Sequence, residues 1–217
     1  MNRLIPLCFL LFLLTSCAKS VGNEADIYSN DFESNNLKGI TNGVISSFSG
    51  TNVLGNYSNG GFDLTLNNLP EHELIDVSFD LYIHDGWVGN QRLSDNETMP
   101  DIWQMKVNGK TYVSTTFSNQ DCISGNICPP QSYPADYPSN NYNPKSFASR
   151  IDLPGFCSWL TNPNGSSLYK IHKSISHSDK TLLLQCLDKL VQKNVADKKC
   201  DASWSVDNIK IKVINLH

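Results

Sequence analysis

The sequence predicts an all-β fold, an antiparallel β-sandwich with a long, Cys-bridged loop insertion. Three observations support this prediction. Apolar residues alternate at period two in several short runs, turn-forming residues separate these runs, and two of the runs flank an Asn-Gly step. Alternation of this kind is typical of strands that bury one face, and frequent turn signals between short strands favour a sandwich.

The alternating runs are clearest at residues 62–66 and 75–83, where every second residue is apolar. "IWQMKV" and "KTYVSTTF" flank Asn108-Gly109, which predicts a type I′ hairpin because both central residues of that turn need positive φ. Residues 168–175 and 208–216 add two further strands. Together these runs supply the strands of the predicted sandwich.

Two segments depart from this pattern. Residues 120–167 are rich in Pro, Asn, Ser, Tyr and Gly, which predicts a long loop or insertion. Within residues 180–199, Leu183, Cys186, Leu187 and Leu190 recur at helical spacing, so periodicity alone predicts a helix there.

The N-terminus has the features of an export signal. Arg3 precedes an apolar run from Leu4 to Leu14 that is too short to span a bilayer permanently. The following "LTSC" resembles the lipobox of bacterial lipoproteins, which implies lipidation of Cys17 and cleavage before it. Ala18 then favours the outer membrane, because Asp at that position often signals inner-membrane retention. The predicted partner of this end of the chain is therefore a membrane, reached through the lipid anchor.

These features divide the chain into a signal peptide at 1–16, a lipidated cysteine with a flexible tether at 17–29, and a sandwich domain at 30–217. Removal of the signal leaves 201 residues with a net charge of −5, because Arg3 is the only charged residue lost. That length suits one domain with a sizeable core. A mildly acidic chain without a basic run is not expected to bind nucleic acid.

Five cysteines follow Cys17, and export to an oxidising compartment permits disulfides. Cys122 and Cys128 bracket the short loop "CISGNIC" and are predicted to pair. Cys186 and Cys200 are further candidate disulfide cysteines, although the pairing among Cys157, Cys186 and Cys200 stays open. An odd number leaves one thiol free or paired with another chain. Zinc is disfavoured, since no CxxC or HxxxH pair is present.

The chain as a whole resembles a jelly-roll module of bacterial secreted and surface proteins, within the concanavalin-A-like or carbohydrate-binding sandwich group. The pieces that carry the resemblance run in order: "NDFES", "VLGNYSNGGFDLTLNNLPEHELIDVSFDLYIHDGWVGN", "PDIWQMKVNGK", "TTFSN", "QSYP", "LYKIHKSISHSDKTLLLQC" and "DASWSVDNIKI". The resemblance implies a strand near 181–187 in place of the helix, with a loop or short helix at 188–199. Two acids of the module's pattern are missing, because Val88 and Ala202 occupy their positions.

A calcium site is predicted where the chain ends meet. Asp31 and Glu33 open the domain, and Asp207 and Asn208 open the last strand. First and last strands of jelly rolls commonly lie side by side, and hard cations take carboxylate, amide and carbonyl oxygens. The resemblance implies a structural calcium at this seam. The alternative is that Asp31 and Asp207 accept hydrogen bonds from turn backbone.

A ligand site is predicted in "HDGWVGN" and "PDIW". The candidate residues are Asp85, Trp87, Asn90, Asp101 and Trp103. Sugar binding needs an aromatic face for the apolar side of a pyranose and a few placed polar groups for its hydroxyls. The alternative is that both tryptophans pack in the core, as large aromatic residues usually do.

Catalysis is not predicted. The histidines show no paired spacing, and Glu73 and Asp76 are three residues apart, which places them on opposite faces of a strand. The sequence therefore favours a non-catalytic, lipid-anchored envelope module that binds a glycan or a protein. The alternatives are a polysaccharide lyase or hydrolase on the same sandwich, and a purely structural envelope lipoprotein.

Overall fold

The computed structural model of this chain describes residues 21–91, 100–120, 122, 128–157, 164–190 and 196–216. It contains twelve strands and one short helix within these ranges. Their bounds are β1 Val21–Asn30, β2 Ile40–Thr41, β3 Ile45–Phe48, β4 Thr51–Tyr57, β5 Gly61–Asn67, β6 Leu74–Asp85, β7 Ile102–Val107, β8 Lys110–Thr116, β9 Arg150–Leu153, β10 Ser166–Ser176, β11 Thr181–Asp188, α1 Lys198–Asp201 and β12 Ala202–Leu216.

The strands form two antiparallel sheets, which confirms the predicted all-β sandwich. Sheet A has the order β3-β4-β12-β6-β10-β9, and β1 also pairs with β12. Sheet B has the order β2-β5-β11-β7-β8. The predicted hairpin joins β7 and β8, with Asn108 and Gly109 at φ of 48° and 79°.

Residues 181–188 form a strand, as the resemblance implied and against the helical spacing of their leucines. Leu182, Leu184 and Cys186 are fully buried and alternate with half-buried neighbours, so period two governs this segment. The helical spacing includes Leu190, which lies after the end of the strand. The helix that does form, α1, begins later at Lys198.

Strand β1 corrects the predicted domain boundary, because residues 21–29 are not a flexible tether. Val21 pairs with Leu216, and the ladder continues to Asn30 opposite Ile209. Most residues of β1 are exposed or half-exposed, so the strand is held by its backbone pairing with β12 more than by apolar burial. A polar edge strand of this kind has no hydrophobic pattern for sequence analysis to detect.

Strand β12 is central to sheet A. It pairs with β6 along one side, and on the other side with β4 over residues 204–206 and then with β1 over residues 209–216. The register shifts between Asp207 and Lys210, and Asn208 has φ of 53°. Such a shift is a β-bulge, and asparagine tolerates the left-handed conformation better than most residues. The polar Asp207-Asn208 step therefore marks the place where β12 changes neighbours.

One hydrophobic core joins residues of both sheets, and Trp87, Trp103 and Trp204 are fully buried in it. The rings of Trp103 and Trp204 meet edge-to-face with centroids 5.9 Å apart, a favourable aromatic arrangement. A second apolar cluster lies on the opposite face of sheet A, where Phe48, Tyr82 and Phe156 pack together. No helix in the described part of the chain has the length and apolarity to cross a bilayer.

The disulfides agree only partly with the expectation. Cys122 and Cys128 are joined as predicted, with Cα atoms 4.9 Å apart. Cys157 is joined to Cys200, so the assignment of Cys186 to a disulfide is wrong. Cys186 faces the core from the middle of β11 and is a buried free thiol.

The two ends of the sandwich differ in their connections. At the turn end the strands are joined by the short segments 68–73, 108–109 and 177–180, and β1 begins there beside the end of β12. At the loop end the short turn 58–60 lies among the longer segments 86–101, 117–149, 154–165 and 189–201. Both disulfides belong to the loop end.

Candidate functional site

The two tryptophans of the predicted ligand site offer no exposed ring. Trp87 and Trp103 are both at 0 % exposure, and the indole N–H of Trp87 donates to the backbone carbonyl of Ser203 at 2.7 Å. Their rings flank Phe117, with edge-to-face contacts on both sides. The prediction that these tryptophans form a sugar-binding surface is therefore wrong, because both side chains are buried in the core at the loop end.

Two polar residues of the predicted site hold the loops together. The Asn90 carboxamide accepts from the Ser132 hydroxyl at 3.0 Å and donates to Asn141 Oδ1 at 2.7 Å, which ties two distant segments. Asp101 Oδ2 accepts the backbone N–H of Val88 at 3.1 Å. These contacts make Asn90 and Asp101 supports of the loop end.

Asp85, the last of these candidates, is nearly buried and has left-handed backbone with φ of 59°. One carboxylate oxygen accepts the backbone N–H of Phe156 at 3.2 Å, whereas the other is buried without a hydrogen-bond partner. Burial raises the pKa of Asp85 to about 7, and the carboxyl of Asp201 adds to the rise. An aspartate in this state is partly protonated at neutral pH.

The predicted calcium residues approach one another at the bulge in β12. Asp207 is 4 % exposed as a residue, and its carboxylate accepts the backbone N–H of Asn208 at 2.7 Å. Burial raises its pKa to about 6, and the negative charges of Asp80, Glu33 and Asp31 contribute. Since mutual repulsion of carboxylates raises a pKa, these side chains are electrostatically coupled.

Each of these acids also has protein donors. Glu33 accepts the hydroxyl of Thr51 and the backbone N–H of Asn52, and Asp31 Oδ1 accepts the backbone N–H of Glu33 at 3.2 Å. Among the described residues, no group of three or more His, Cys, Asp or Glu side chains is arranged to hold a metal ion. The donor chemistry and the charge suit a hard cation, but the fit is electrostatic and does not amount to a formed coordination shell.

Asn208 contacts a neighbouring ion pair. Its Nδ2 donates to Asp80 Oδ2 at 3.0 Å, and Lys170 Nζ donates to Asp80 Oδ1 at 2.6 Å. Asp80 is nearly buried, so Lys170 and Asn208 together satisfy a carboxylate that lies directly opposite Asp207 in the β6–β12 ladder. The nitrogen of the Asn208 carboxamide is therefore bonded to Asp80, so its oxygen is the atom that could serve a cation.

An aromatic pair with one exposed and one half-buried ring lies in the loop insertion, where sequence analysis had assigned no site. Phe147 is 58 % exposed, and its ring meets that of Tyr142 edge-to-face with centroids 5.0 Å apart. Asn140, Asn141 and Asn143 belong to the same loop. We call Tyr142 and Phe147 the aromatic platform. An isolated Phe inside "NPKSFASR", a polar stretch without strand alternation, was the signal that could have found it.

Buried Gln131 holds the platform loop in place. Its Oε1 accepts the backbone N–H of Lys145 at 3.1 Å, and its Nε2 donates to the carbonyl of Ser146 at 2.9 Å. Gln131 and Tyr142 also exchange backbone hydrogen bonds of 2.9 and 2.8 Å. Lys145 and Phe147 have φ of 61° and 65°, a conformation that costs energy for residues with bulky side chains. The loop is therefore ordered around Phe147 at a local cost.

A buried Ser-His arrangement on sheet A does not resemble an open catalytic centre. His84 contacts the Ser166 hydroxyl at 2.9 Å through Nδ1 and the Ser205 hydroxyl at 2.7 Å through Nε2. All three residues are at 0 % exposure, and burial lowers the pKa of His84 to about 3. The imidazole is neutral and enclosed beneath Phe48 and Phe156, so a substrate has no access to it.

The fold places the chain in the class of antiparallel β-sandwiches. In structure it is similar to a family 35 carbohydrate binding module from Clostridium thermocellum, with 11 % identity, a TM-score of 0.36, and coverage of 88 % of this chain and 98 % of that one. It is similar to the C-terminal CBM6 of LamC, a marine laminarinase from Zobellia galactanivorans, at 9 % identity and a TM-score of 0.35, covering 87 % and 98 %. The K2 cleaved adhesin domain of Lys-gingipain matches at 12 % identity and a TM-score of 0.36, covering 86 % and 97 %.

Similarity at this level does not identify a ligand for this chain. No protein-family model matches the sequence, and no curated protein matches it.

Proposed function

We propose that this protein is a non-catalytic, lipid-anchored module of the bacterial cell envelope that binds a saccharide on the aromatic platform. The observation that carries the proposal is the exposure of Phe147 beside Tyr142 on a loop rich in asparagine. The apolar face of a pyranose packs on an aromatic ring, while neighbouring amides meet its hydroxyls.

The rigidity of the platform favours binding. Gln131 and the Asn90–Asn141 contact fix the loop before any ligand arrives. A group that is already ordered loses little conformational entropy on association, so more of the contact energy is retained as affinity. The left-handed backbone at Phe147 fits the same account, since strained residues persist where the surroundings hold them in place.

A glycan-array screen of the domain identifies the saccharide, and calorimetry on Phe147→Ala tests the site. We expect Phe147→Ala to weaken binding by about tenfold or more, because stacking on aromatic residues is a main source of affinity at such sites. Ile151→Ala is the matched control, since Ile151 is also an exposed apolar residue, at 48 % exposure, but lies on β9.

Equal affinities of Phe147→Ala and Ile151→Ala for the saccharide would contradict binding on the aromatic platform. If no glycan on the array is bound, a purely structural role as an envelope lipoprotein becomes the better interpretation. Binding that survives in both variants would place the saccharide elsewhere on the domain.

The lipid anchor is proposed at Cys17. Its support is the "LTSC" sequence alone, because residues 1–20 lie outside the described residues. Metabolic labelling with a palmitate analogue is expected to mark the wild type and to leave Cys17→Ser unlabelled and unprocessed. Equal labelling of the wild type and of Cys17→Ser would contradict a lipid anchor at Cys17.

Calcium is proposed at the seam of Asp31, Glu33, Asp207 and Asn208. The convergence of negative charge on buried Asp207 supports it. A cation that binds only the folded state stabilises it by about 2.7 kcal/mol at a hundredfold excess over Kd. Melts of the wild-type domain with calcium and with a chelator are expected to differ by several degrees. Asp207→Ala should remove that difference and Asp179→Ala should keep it, whereas coincident wild-type melts would leave Asp31 and Asp207 as turn-capping residues.

A further inference from the structure

A cleft of about 650 Å³ lies far from the aromatic platform, on the side of the sandwich where β1 passes the end of β5. Residues 27–29 of β1 form one wall, residues 36–39 form the second, and residues 65–70 form the third. The cleft is therefore built by three segments that are separate in sequence.

The side chains that line the cleft combine amides and hydroxyls with an aromatic ring. Asn36, Asn67 and Asn68 contribute carboxamides, Ser29 contributes a hydroxyl, and Tyr28 contributes a half-buried phenol ring. Asn36, Asn67 and Asn68 are exposed. This is a set of groups that hydrogen-bonds several hydroxyls around an apolar surface.

The residues that line the cleft carry positive charge only. Lys38 is the charged residue among its lining residues, and no Asp or Glu lines it. Lys38 is exposed on a chain whose formal net charge is −4. A lone ammonium group beside neutral amides selects a ligand that carries a negative charge.

The walls are fixed by backbone contacts. The Asn36 side chain accepts the N–H of Lys38 at 2.9 Å, and its carbonyl accepts from Asn30 Nδ2 at 2.8 Å. The N–H of Thr65 donates to the carbonyl of Gly39 at 2.8 Å, which joins the second wall to the third. Lys38 and the amides are thus presented on a framework that needs little rearrangement to receive a ligand.

We propose that this cleft binds an acidic sugar residue of a polysaccharide, with Lys38 pairing with its carboxylate and the asparagines binding its hydroxyls. The proposal is independent of the aromatic platform, because the two sites share no residue. A chain with both sites would hold a polysaccharide at two separate places.

The test uses a short oligogalacturonide and its fully methyl-esterified form, which differ in charge and hardly in shape. Calorimetry is expected to detect binding of the acid and at least tenfold weaker binding of the ester, because hydrogen bonds to charged groups are the stronger ones. Lys38→Gln should weaken binding of the acid to the level of the ester. Higher salt should weaken binding of the acid and leave binding of the ester unchanged.

Lys110→Gln is the matched control, because Lys110 is also exposed and its ammonium lies 5.0 Å from the ring of Tyr112. It should bind the acid like the wild type. Equal binding of acid and ester, no binding of the acid at millimolar concentration, or equal losses in Lys38→Gln and Lys110→Gln would each overturn the proposal.

Discussion

The turn end and the loop end close the same sandwich by different means. At the turn end, His72, His177 and Asn108 connect three short turns through side-chain hydrogen bonds of 2.7 and 3.1 Å. At the loop end, two disulfides and several buried polar side chains connect segments that have few strand contacts of their own. Short turns are therefore held by a few hydrogen bonds between neighbouring turns, whereas the long loops, which carry the aromatic platform, are held by disulfide cross-links as well.

The hydrogen-bond chain at the turn end requires neutral histidines. His72 Nδ1 lies 2.6 Å from the carbonyl of Pro70, which can only accept, so His72 carries its proton there. His72 Nε2 then accepts from His177 Nδ1, and His177 Nε2 accepts from the Asn108 carboxamide. A proton added to either ring would place two donors face to face.

The loop end depends on one buried carboxylate. Asp188 accepts the indole N–H of Trp204 at 2.7 Å and the backbone N–H groups of Asn59, Gly60 and Leu190. Burial raises its pKa, while these four donors act in the opposite direction. The side chain therefore joins β12 to two loops.

The largest expected effect is that of Asp188→Ala, which would test how strongly the loop end relies on this carboxylate. Four donors would lose their acceptor in a buried place, at a cost of about 3–5 kcal/mol in the free energy of unfolding. Urea denaturation measures it. Asp63→Ala is the control, since half-buried Asp63 accepts one bond from Gln185 and should cost less than about 1 kcal/mol. Similar losses in both variants would contradict this account.

Asp85→Asn should stabilise the protein in a pH-dependent way. Because the pKa of Asp85 rises to about 7 in the folded state, its ionisation is more favourable in the unfolded chain, and stability is lost as pH rises from about 4 to about 7. The Asn variant should match the wild type near pH 4 and exceed it by about 1–2 kcal/mol above pH 7, after allowance for solvent screening. Urea denaturation at several pH values measures this. A constant difference across that range would exclude Asp85 as the titrating group.

The strain at the platform can be measured by comparing Phe147→Gly with Phe147→Ala. Both variants remove the ring, but only glycine adopts φ near 65° without cost. The Gly variant should therefore be more stable than the Ala variant by about 1 kcal/mol. Thermal melts of the two purified variants decide it. If Ala is the more stable of the two, the left-handed backbone is not a source of strain.

The smallest effect is expected at His177. Burial and the neighbouring His72 lower its pKa, whereas Asp179 opposes the shift. A histidine with a lowered folded-state pKa contributes stability that is present above about pH 6.5 and is lost as the pH falls below that value. His177→Gln should therefore flatten the acid side of the stability curve, in contrast to the opposite slope caused by Asp85. His172→Gln, at an exposed position, is the matched control for replacing a histidine by glutamine.

The sequence correctly predicted the strands in which buried and exposed residues alternate. Burial alternates along β5 and along the first half of β6 because one face of each turns to the core, and the Asn-Gly step predicted the β7–β8 hairpin. Strand β11 needed the resemblance, since its apolar residues fit period two and a helical period equally well. Strand β1 was missed because its stability comes from pairing with a strand at the other end of the sequence.

The candidate site was less predictable, because exposure is a tertiary property. The sequence around Trp87 and around Trp103 does not indicate that the two rings would flank Phe117 in the core. The Cys157–Cys200 bond likewise depends on two loops that meet only in the folded chain. Phe147 stays exposed because Gln131, a residue sixteen positions away, orders its loop.

The central place of β12 has a consequence for the order of folding. Its neighbours β1, β4 and β6 all come from residues 21–85, whereas β12 follows every other strand of the described residues. Until residues 202–216 are available, β1 has no partner and β4 is separated from β6. Sheets closed by such distant pairings form slowly, because the entropy of loop closure is lost before the contacts compensate for it. Sheet A should therefore stay incomplete until residues 202–216 have been synthesised, and the arrival of β12 should complete the sandwich in one cooperative step.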